Sequence, residues 1–399
     1  MINIQDKSQC CGCTACMAVC PKQCISMKED SEGFLYPSVD VSLCIDCNLC
    51  QKVCPVLHQG DKREPLDVYA AKNEDEQVRL SSSSGGIFTL LAEKTIDEGG
   101  VVFGARFDEN WEVMHDCTET REGIAAFCGS KYVQSRIGDC YQRAKQYLLA
   151  GRKVLFTGTS CQIAGLKSYL GKEYDNLLAV DVVCHGVPSP KVWRSYLSEI
   201  VAPQGGKNSV LPHPYECKTK ITNIDFRSKS TGWKKFSFAL TLSEASADGE
   251  QNSVLLSSIF IENPFMEVFL DNVSLRPSCY ACPVKAGKSQ SDISIADFWG
   301  VHKSMPEIDD DKGVSLAIVF TEKGRKVFDS LSCQRQRSNL LDALPNNLSI
   351  NESVAKHVNR GMFFHLLEKK GFGKAYRLAY KDKGWNVRLR RLVYRKVGI

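Results

Sequence analysis

No stretch of the 399 residues approaches the ~18 consecutive apolar residues that cross a bilayer. The opening residues, MINIQDKSQCC, also lack the basic-then-apolar order of a secretory signal. The chain is therefore expected to be cytoplasmic and not membrane-spanning. No Walker A sequence occurs, so the most familiar phosphate-cradling loop is excluded. Charge is nearly balanced overall, at +5, which gives no general argument for nucleic acid as a partner. What the chain has in excess is cysteine, 19 residues. Disulfide scaffolds are small and secreted, whereas a reducing compartment keeps thiols free for metals or catalysis. Metal sites become the leading expectation.

The cysteines are concentrated. Cys10, Cys13, Cys16 and Cys20-Pro21 fit C-x2-C-x2-C-x3-C-P, and Cys44, Cys47, Cys50 and Cys54-Pro55 fit it again. Three thiolates on one tight loop reach three irons of a cubane, and the fourth cysteine serves the neighbouring cluster. The spacing thus predicts two ligand sets: Cys10, Cys13, Cys16 with Cys54, and Cys44, Cys47, Cys50 with Cys20. Zinc would be satisfied by paired C-x2-C hooks, without the third cysteine or the prolines. Residues 5–58 resemble a bacterial two-cluster ferredoxin. Cys11 and Cys24 fall outside the pattern and are expected to pack as small apolar residues.

With 43% hydrophobic and 24% charged residues, the chain is long enough for two or three domains. The charged segment HQGDKREPLD, residues 58–67, reads as a linker. Beyond it, strand-like stretches (DVYAAK, KVLFTG, NLLAVDVVC) alternate with helical ones (IFTLLAEKTID, CYQRAKQYLLAG, QIAGLKSYLG, KVWRSYLSEI), and VVFGARF with WEVMHDC suggests a hairpin. The expected fold class is mixed α/β or α+β: a small ferredoxin-like domain at 1–60, an α/β catalytic domain at 61–345, and a basic helical extension at 346–399.

Two turns in the middle domain suit ligands. SSSSGGIFTLL, residues 81–91, places hydroxyls and two glycines before an amphipathic helix, where free N–H groups and the helix dipole favour an anion. A serine-rich helix cap is the plainer reading. In FTGTSCQIAGL, Cys161 stands at a helix N-terminus, which favours a thiolate. Cys184 ends a strand, and Cys279-x-x-Cys282 forms a hook. These four could hold one more cubane; they could equally be buried thiols, or Cys161 a nucleophile with His185 as its base.

SSGGIFTLL, GSKYVQS, GTSCQIAGL, CHGVPS, CYACPVK and DISIADFWG occur in an order that resembles the beta-subunit family of coenzyme F-420 hydrogenases and dehydrogenases, over roughly residues 66–340. That family consists of iron-sulfur flavoproteins, similar also to the ferredoxin-dependent reductases of chlorophyll metabolism. The resemblance implies a third 4Fe-4S cluster on Cys161, Cys184, Cys279 and Cys282. It implies FAD held by Ser83, Ser84, Gly85, Gly86, Lys131, Tyr132, Ser135, Thr157, Gly158 and Thr159. Cys117, Cys128, Cys140, Cys217 and Cys333 match no ligand pattern.

The implied function is an iron-sulfur flavoprotein oxidoreductase. It would pass electrons from a one-electron, ferredoxin-like donor through 4Fe-4S clusters to FAD and on to coenzyme F-420 or another small two-electron acceptor. Because a fused head supplies its own input, this reading comes before the alternative of an electron-transfer subunit without its own substrate. Asp297, His185 and Lys131 are candidate proton donors, each with a structural reading beside it. Arg227, Lys229, Trp233 and Lys234 could meet an acidic aromatic ligand, or form a solvated basic hairpin. Thirteen Lys or Arg against three acidic residues between Asn351 and Ile399 make a basic amphipathic helix. It could lie on an anionic membrane with Trp385 and Tyr394 at the interface, or dock on an acidic partner. No recognition fold accompanies it for nucleic acid.

Overall fold

The computed structural model describes residues 1–201, 220–245 and 251–381. Cys217 and the end of the basic C-terminal segment, with Trp385 and Tyr394, lie outside the described residues.

The N-terminal head has a short helix, α1 (Ala15–Val19), after the first cysteine loop and another, α2 (Leu49–Lys52), after the second. Strands β1 (Ile25–Glu29) and β2 (Leu35–Val39) pair antiparallel between them. Such a small unit buries little apolar surface of its own. Residues 58–66 run to the body without helix or strand, as the composition predicts.

The body is built on one eight-stranded sheet, flanked at its start by helices α3 (Glu76–Ser81) and α4 (Ile87–Asp97) and by the short α5 (Arg121–Ile124). Its remaining principal helices are α6 (Cys140–Leu149), α7 (Ser160–Leu170), α8 (Pro190–Val201) and α9 (Pro264–Leu270). The sheet contains β3 (Asp67–Asn73), β4 (Val101–Phe107), β5 (Val113–Thr118), β6 (Val154–Thr159), β7 (Leu177–Val182), β11 (Ile293–Asp297), β12 (Ser315–Val319) and β13 (Cys333–Ser338). Their order is β13-β3-β12-β11-β7-β6-β4-β5. Strands β4, β6, β7 and β11 run parallel, and antiparallel partners extend both sides. The parallel centre is nearly all apolar because helices cover both faces: β6 and β7 bury Val154, Leu155, Phe156, Leu177, Ala179 and Val180.

A second sheet of β8 (Lys220–Ser228), β9 (Ser237–Ala245) and β10 (Gln251–Ile259) is antiparallel. It packs with α8 and α9 into an aromatic core around Trp193, Phe226, Phe238 and Phe265. Residues expected to belong to a basic extension join this core: Phe363, Phe372, Ala375, Tyr376 and Ala379 are at most 3% exposed. Their apolar spacing serves internal packing up to Tyr380.

Head and body are firmly joined. Arg360 makes a two-pronged ion pair with Glu32, at 2.7 and 2.6 Å, and Lys191 Nζ donates to Ser31 O at 2.8 Å. Arg194 bridges Glu29 of the head and Glu112 of the body.

Candidate redox site

The cysteine loops of the head differ in their surroundings. Cys20, Cys44, Cys47 and Cys50 line one cavity, and Cys24 lines it with them, its sulfur 3.4 Å from that of Cys20. The backbone N–H of Ile2 donates to Cys50 Sγ at 3.2 Å. Ile45 lines this cavity and is 58% exposed, and Val41 and Leu43, just before Cys44 in the chain, are 66% and 54% exposed. Cys24 was expected only to pack, and its spacing carried no signal of this placement.

The other loop faces inward. Burial pushes the Cys16 thiol up to about 12, with the nearby thiols of Cys10 and Cys54 adding to the effect. Cys13 packs on α7. A methyl added to Gly165 would sit 2.8 Å from Cys13 Cβ and 3.0 Å from its sulfur. Cys11 and Cys13 are buried in one packed cluster, and Cys161 packs against it. Cys11 packs as the spacing implied, in a cluster that joins the head loop to α6 and α7 of the body.

Those body cysteines converge from three places. Cys161 is in the first turn of α7, Cys184 follows β7, and Cys279 lies within a 3-10 turn, Pro277–Ala281, with Cys282 at its C-terminal end. Cys161 raises the proton affinity of the other three. Burial, and then the charges of Cys279, Cys161 and Cys282, hold the Cys184 thiol well above the ordinary range, and burial pushes Cys279 up to about 12. Thiols this reluctant to ionise alone become thiolates when a metal supplies the positive charge. Val187 N donates to Cys279 Sγ at 3.4 Å, and Lys285 Nζ reaches Cys184 O at 2.7 Å. Among the described residues, no three of His, Cys, Asp or Glu gather closely enough to hold a single metal ion; a four-iron cubane keeps its thiolates further apart. His185 bonds Asn272 at 2.6 Å, and burial lowers its pKa.

The serine turn lies beside GSKYVQS. Ser130 N donates to Ser83 Oγ at 2.7 Å, Arg227 Nη2 to Ser83 O at 3.2 Å, and Arg227 Nη1 to Tyr132 OH at 3.3 Å. No side chain caps α4; its N-cap is Gly86, at φ 82°. The expected serine cap is thus replaced by a left-handed glycine, because the serine hydroxyls are engaged elsewhere: Ser82 on Val78 O and Ser84 on Val314 O. Gly85 is required by packing, since a Cβ there would meet Ala71 O at 2.4 Å. An α-helix N-terminus without a side-chain cap is a favourable place for a phosphate.

The remaining predicted residues form a separate network. Ser135 Oγ bonds His115 Nδ1 at 2.9 Å and accepts from Gln162 Nε2 at 2.8 Å. Thr157 Oγ1 donates to Phe103 O, and the Thr159 N–H and hydroxyl both go to Gln162 Oε1. A Cβ on Gly158 would sit 3.0 Å from that same oxygen. This network fixes the β6–α7 turn that carries Cys161. His115 has burial holding its pKa at about 4; one His in VMHDC gave no hint of it.

The basic hairpin is neither solvated nor open. Arg227 is 4% exposed and pairs two-pronged with Asp297, at 2.9 and 3.0 Å, while Trp233 Nε1 donates to Asp297 Oδ1 at 2.8 Å. Lys229 Nζ donates to three carbonyls, of Arg79, Ser84 and Lys312, and burial lowers its pKa to about 7. Lys234 pairs with Asp309 at 2.5 Å. These residues clamp the serine turn from behind. Lys131 Nζ bonds the carbonyls of Cys128 and Gly129, with burial lowering its pKa to about 8. Arg227 Nε is buried without a partner.

Cysteine loops spaced for cubanes, docked on an α/β body, define an iron-sulfur electron-transfer protein of the oxidoreductase class. The 4Fe-4S dicluster domain model matches residues 9–57. "Coenzyme F420 hydrogenase/dehydrogenase, beta subunit N-term" matches residues 68–139, and the corresponding C-terminus model matches 151–337. The chain belongs to this beta-subunit family, with a dicluster domain preceding the family's two parts. A chain of the F420-reducing NiFe hydrogenase complex from Methanosarcina barkeri, in a xenon-derivatised structure, aligns at 17% identity and a TM-score of 0.42, covering 79% of this chain and 91% of that one. No curated protein matches the chain. Among the described residues no helix is long and apolar enough to cross a membrane.

Proposed function

We propose that this protein is the electron-transfer subunit of a hydrogenase- or dehydrogenase-type complex. It would hold three 4Fe-4S clusters on the ligand sets Cys10/Cys13/Cys16/Cys54, Cys20/Cys44/Cys47/Cys50 and Cys161/Cys184/Cys279/Cys282. It would hold one FAD at the Ser83–Gly86 turn, with Lys131 and Tyr132 beside it and the Thr157–Thr159 turn leading to Cys161. Cubanes supply one-electron transfer, and FAD exchanges single electrons for pairs. The carrying observation is the docking of the inward-facing head loop on α7, where Cys13 packs on Gly165 and Cys11 shares a buried cluster with residues of α7.

The protein's own side chains keep these sites in line. The Arg227–Asp297–Trp233 clamp and Lys229 hold the serine turn, and the uncapped start of α4 favours the FAD pyrophosphate. The Ser135–His115–Gln162 network fixes the turn before Cys161. The outer loop, with its exposed apolar rim, is where a one-electron partner protein would approach. The domain boundaries that fit this reading are 1–60 for the head and 61–345 for the body.

The family models describe a beta subunit, which supports this reading over the free-standing enzyme expected first from the fused head. The experiment is to tag the chain in its host and recover it anaerobically. A hydrogenase or dehydrogenase catalytic subunit that co-elutes in fixed ratio supports the subunit. A chain recovered alone that reduces coenzyme F-420 with a reduced ferredoxin supports the enzyme instead.

A further inference from the structure

Arg276 is wholly buried, yet all its partners are neutral. Nε donates to Cys10 O at 2.7 Å, Nη1 to Gln134 Oε1 at 2.9 Å, and Nη2 to Leu35 O at 2.9 Å and to Cys10 Sγ at 3.5 Å. Among the described residues no ion pair joins it to a carboxylate. The nearby acids are engaged elsewhere, Glu32 with Arg360 and Asp30 with Lys7. Tyr36 and Phe34 lie under the guanidinium, 4.3 and 5.4 Å from their centroids, which offsets part of the cost of burying the charge. A buried cation normally needs an anion.

The loop is shaped to this guanidinium. Gly12, at φ 72°, passes so close that a Cβ would sit 2.8 Å from Arg276 Nη1, and Gln134 Nε2 ties down Cys11 O at 3.1 Å. The backbone of the same residue serves the body: Arg276 N donates to Val187 O at 3.0 Å, and Cys279 N donates to Arg276 O at 2.9 Å.

We infer that Arg276 is the positioning residue of the head's inner site. Its guanidinium is the counter-charge of the anionic cluster that Cys10 ligates, and its backbone holds Cys279 of the neighbouring set. This rests on the cluster assignment proposed above. Reduction there adds one electron, taken from a one-electron donor that is oxidised in turn; no bond forms or breaks and no proton moves. A fixed cation a few ångströms away stabilises the more negative, reduced form more than the oxidised form, so it raises the reduction potential of that site.

The test is an anaerobic redox titration of the full chain followed by electron paramagnetic resonance, with dithionite as reductant and iron counted in every sample. The signal lost in a Cys10→Ala, Cys16→Ala double variant marks the inner cluster. Arg276→Gln is expected to lower its reduced-to-oxidised ratio at fixed potential by roughly tenfold or more, as for a unit charge at this range in an effective dielectric near 20. Arg276→Lys keeps the charge and is expected to fall between wild type and Arg276→Gln. Gln134→Glu leaves Arg276 in place and neutralises its field, and it too is expected to lower the ratio; it decides the matter if Arg276→Gln loses iron. An unshifted inner signal in Arg276→Gln or in Gln134→Glu, with iron intact, overturns the inference. Failure of the underlying reading looks different: the wild type would then show fewer than three cluster signals before any variant is compared.

Discussion

Gly165 makes the docking of the head measurable. It lies in α7, and its φ needs no glycine, so alanine there gains about 1 kcal/mol of helix propensity. Against this, the added methyl would stand 2.8 Å from Cys13 Cβ and 2.9 Å from Tyr141 OH. Tyr141 is fully buried and its hydroxyl donates to Gln162 O at 2.7 Å, so neither neighbour yields easily. Overpacking of this kind costs about 1–3 kcal/mol. The clash therefore wins, and Gly165→Ala is expected to destabilise by up to about 2 kcal/mol. Gly361, in the helix Arg360–Lys370 with nothing within 4 Å of its would-be Cβ, is the control; there alanine is expected to gain about 0.5–1 kcal/mol. Denaturant midpoints at constant slope give both values, and hydrogen exchange gives the location: amides 10–16 should exchange faster in Gly165→Ala. A Gly165→Ala protein as stabilised as Gly361→Ala, with unchanged protection at 10–16, would refute the packing of the head loop on α7.

Glu32→Gln should cost about 2–4 kcal/mol by thermal or denaturant unfolding, because Arg360, 6% exposed, loses its carboxylate but keeps Leu275 O; a loss below about 0.5 kcal/mol would make the pair a surface contact. For His115, burial holds the folded pKa near 4, below the unfolded value near 6.5, so the unfolded chain binds more protons in that window. Stability is therefore complete above about pH 6.5 and falls as pH drops toward 4, by about 3 kcal/mol from this residue; the difference between wild type and His115→Gln, measured across pH 4.5–7, should show that slope in the wild type alone. Lys229 behaves in the same sense at higher pH: its folded value of about 7 lies below the unfolded one, so the wild type should gain stability relative to Lys229→Met as pH rises from about 7 toward 10. Cys24→Ser should keep its iron while Cys47→Ser loses about four atoms; equal losses would make Cys24 a ligand.

Regular local pattern made much of the fold readable. The helices at 87–97 and 140–149 and the β4–β5 hairpin follow from apolar period and from short connections. Order within the sheet was not readable, because β3 pairs with β12 and β13 far along the chain, and nothing local specifies such partners. The two C-P motifs stood out because cubane loops constrain spacing. The places of Cys11 and Cys24 could not, since both are set by how the chain folds back on itself. The hairpin residues Arg227, Lys229 and Trp233 looked like a surface because charge suggests solvent, and only the apposed Asp297 and three carbonyls explain their burial. Aromatic residues at 363, 372, 376 and 380 were the available sign that the basic C-terminal segment begins inside the core.

The central claim is that this chain carries three cubanes and one flavin. Iron, sulfide and flavin per chain should be counted on anaerobically purified protein, wild type beside a Cys161→Ser, Cys282→Ser double variant. About twelve irons and one FAD, falling to about eight irons in the variant, is the expected result. About eight irons in both, with no flavin, would contradict it and leave a dicluster head on a body without redox groups.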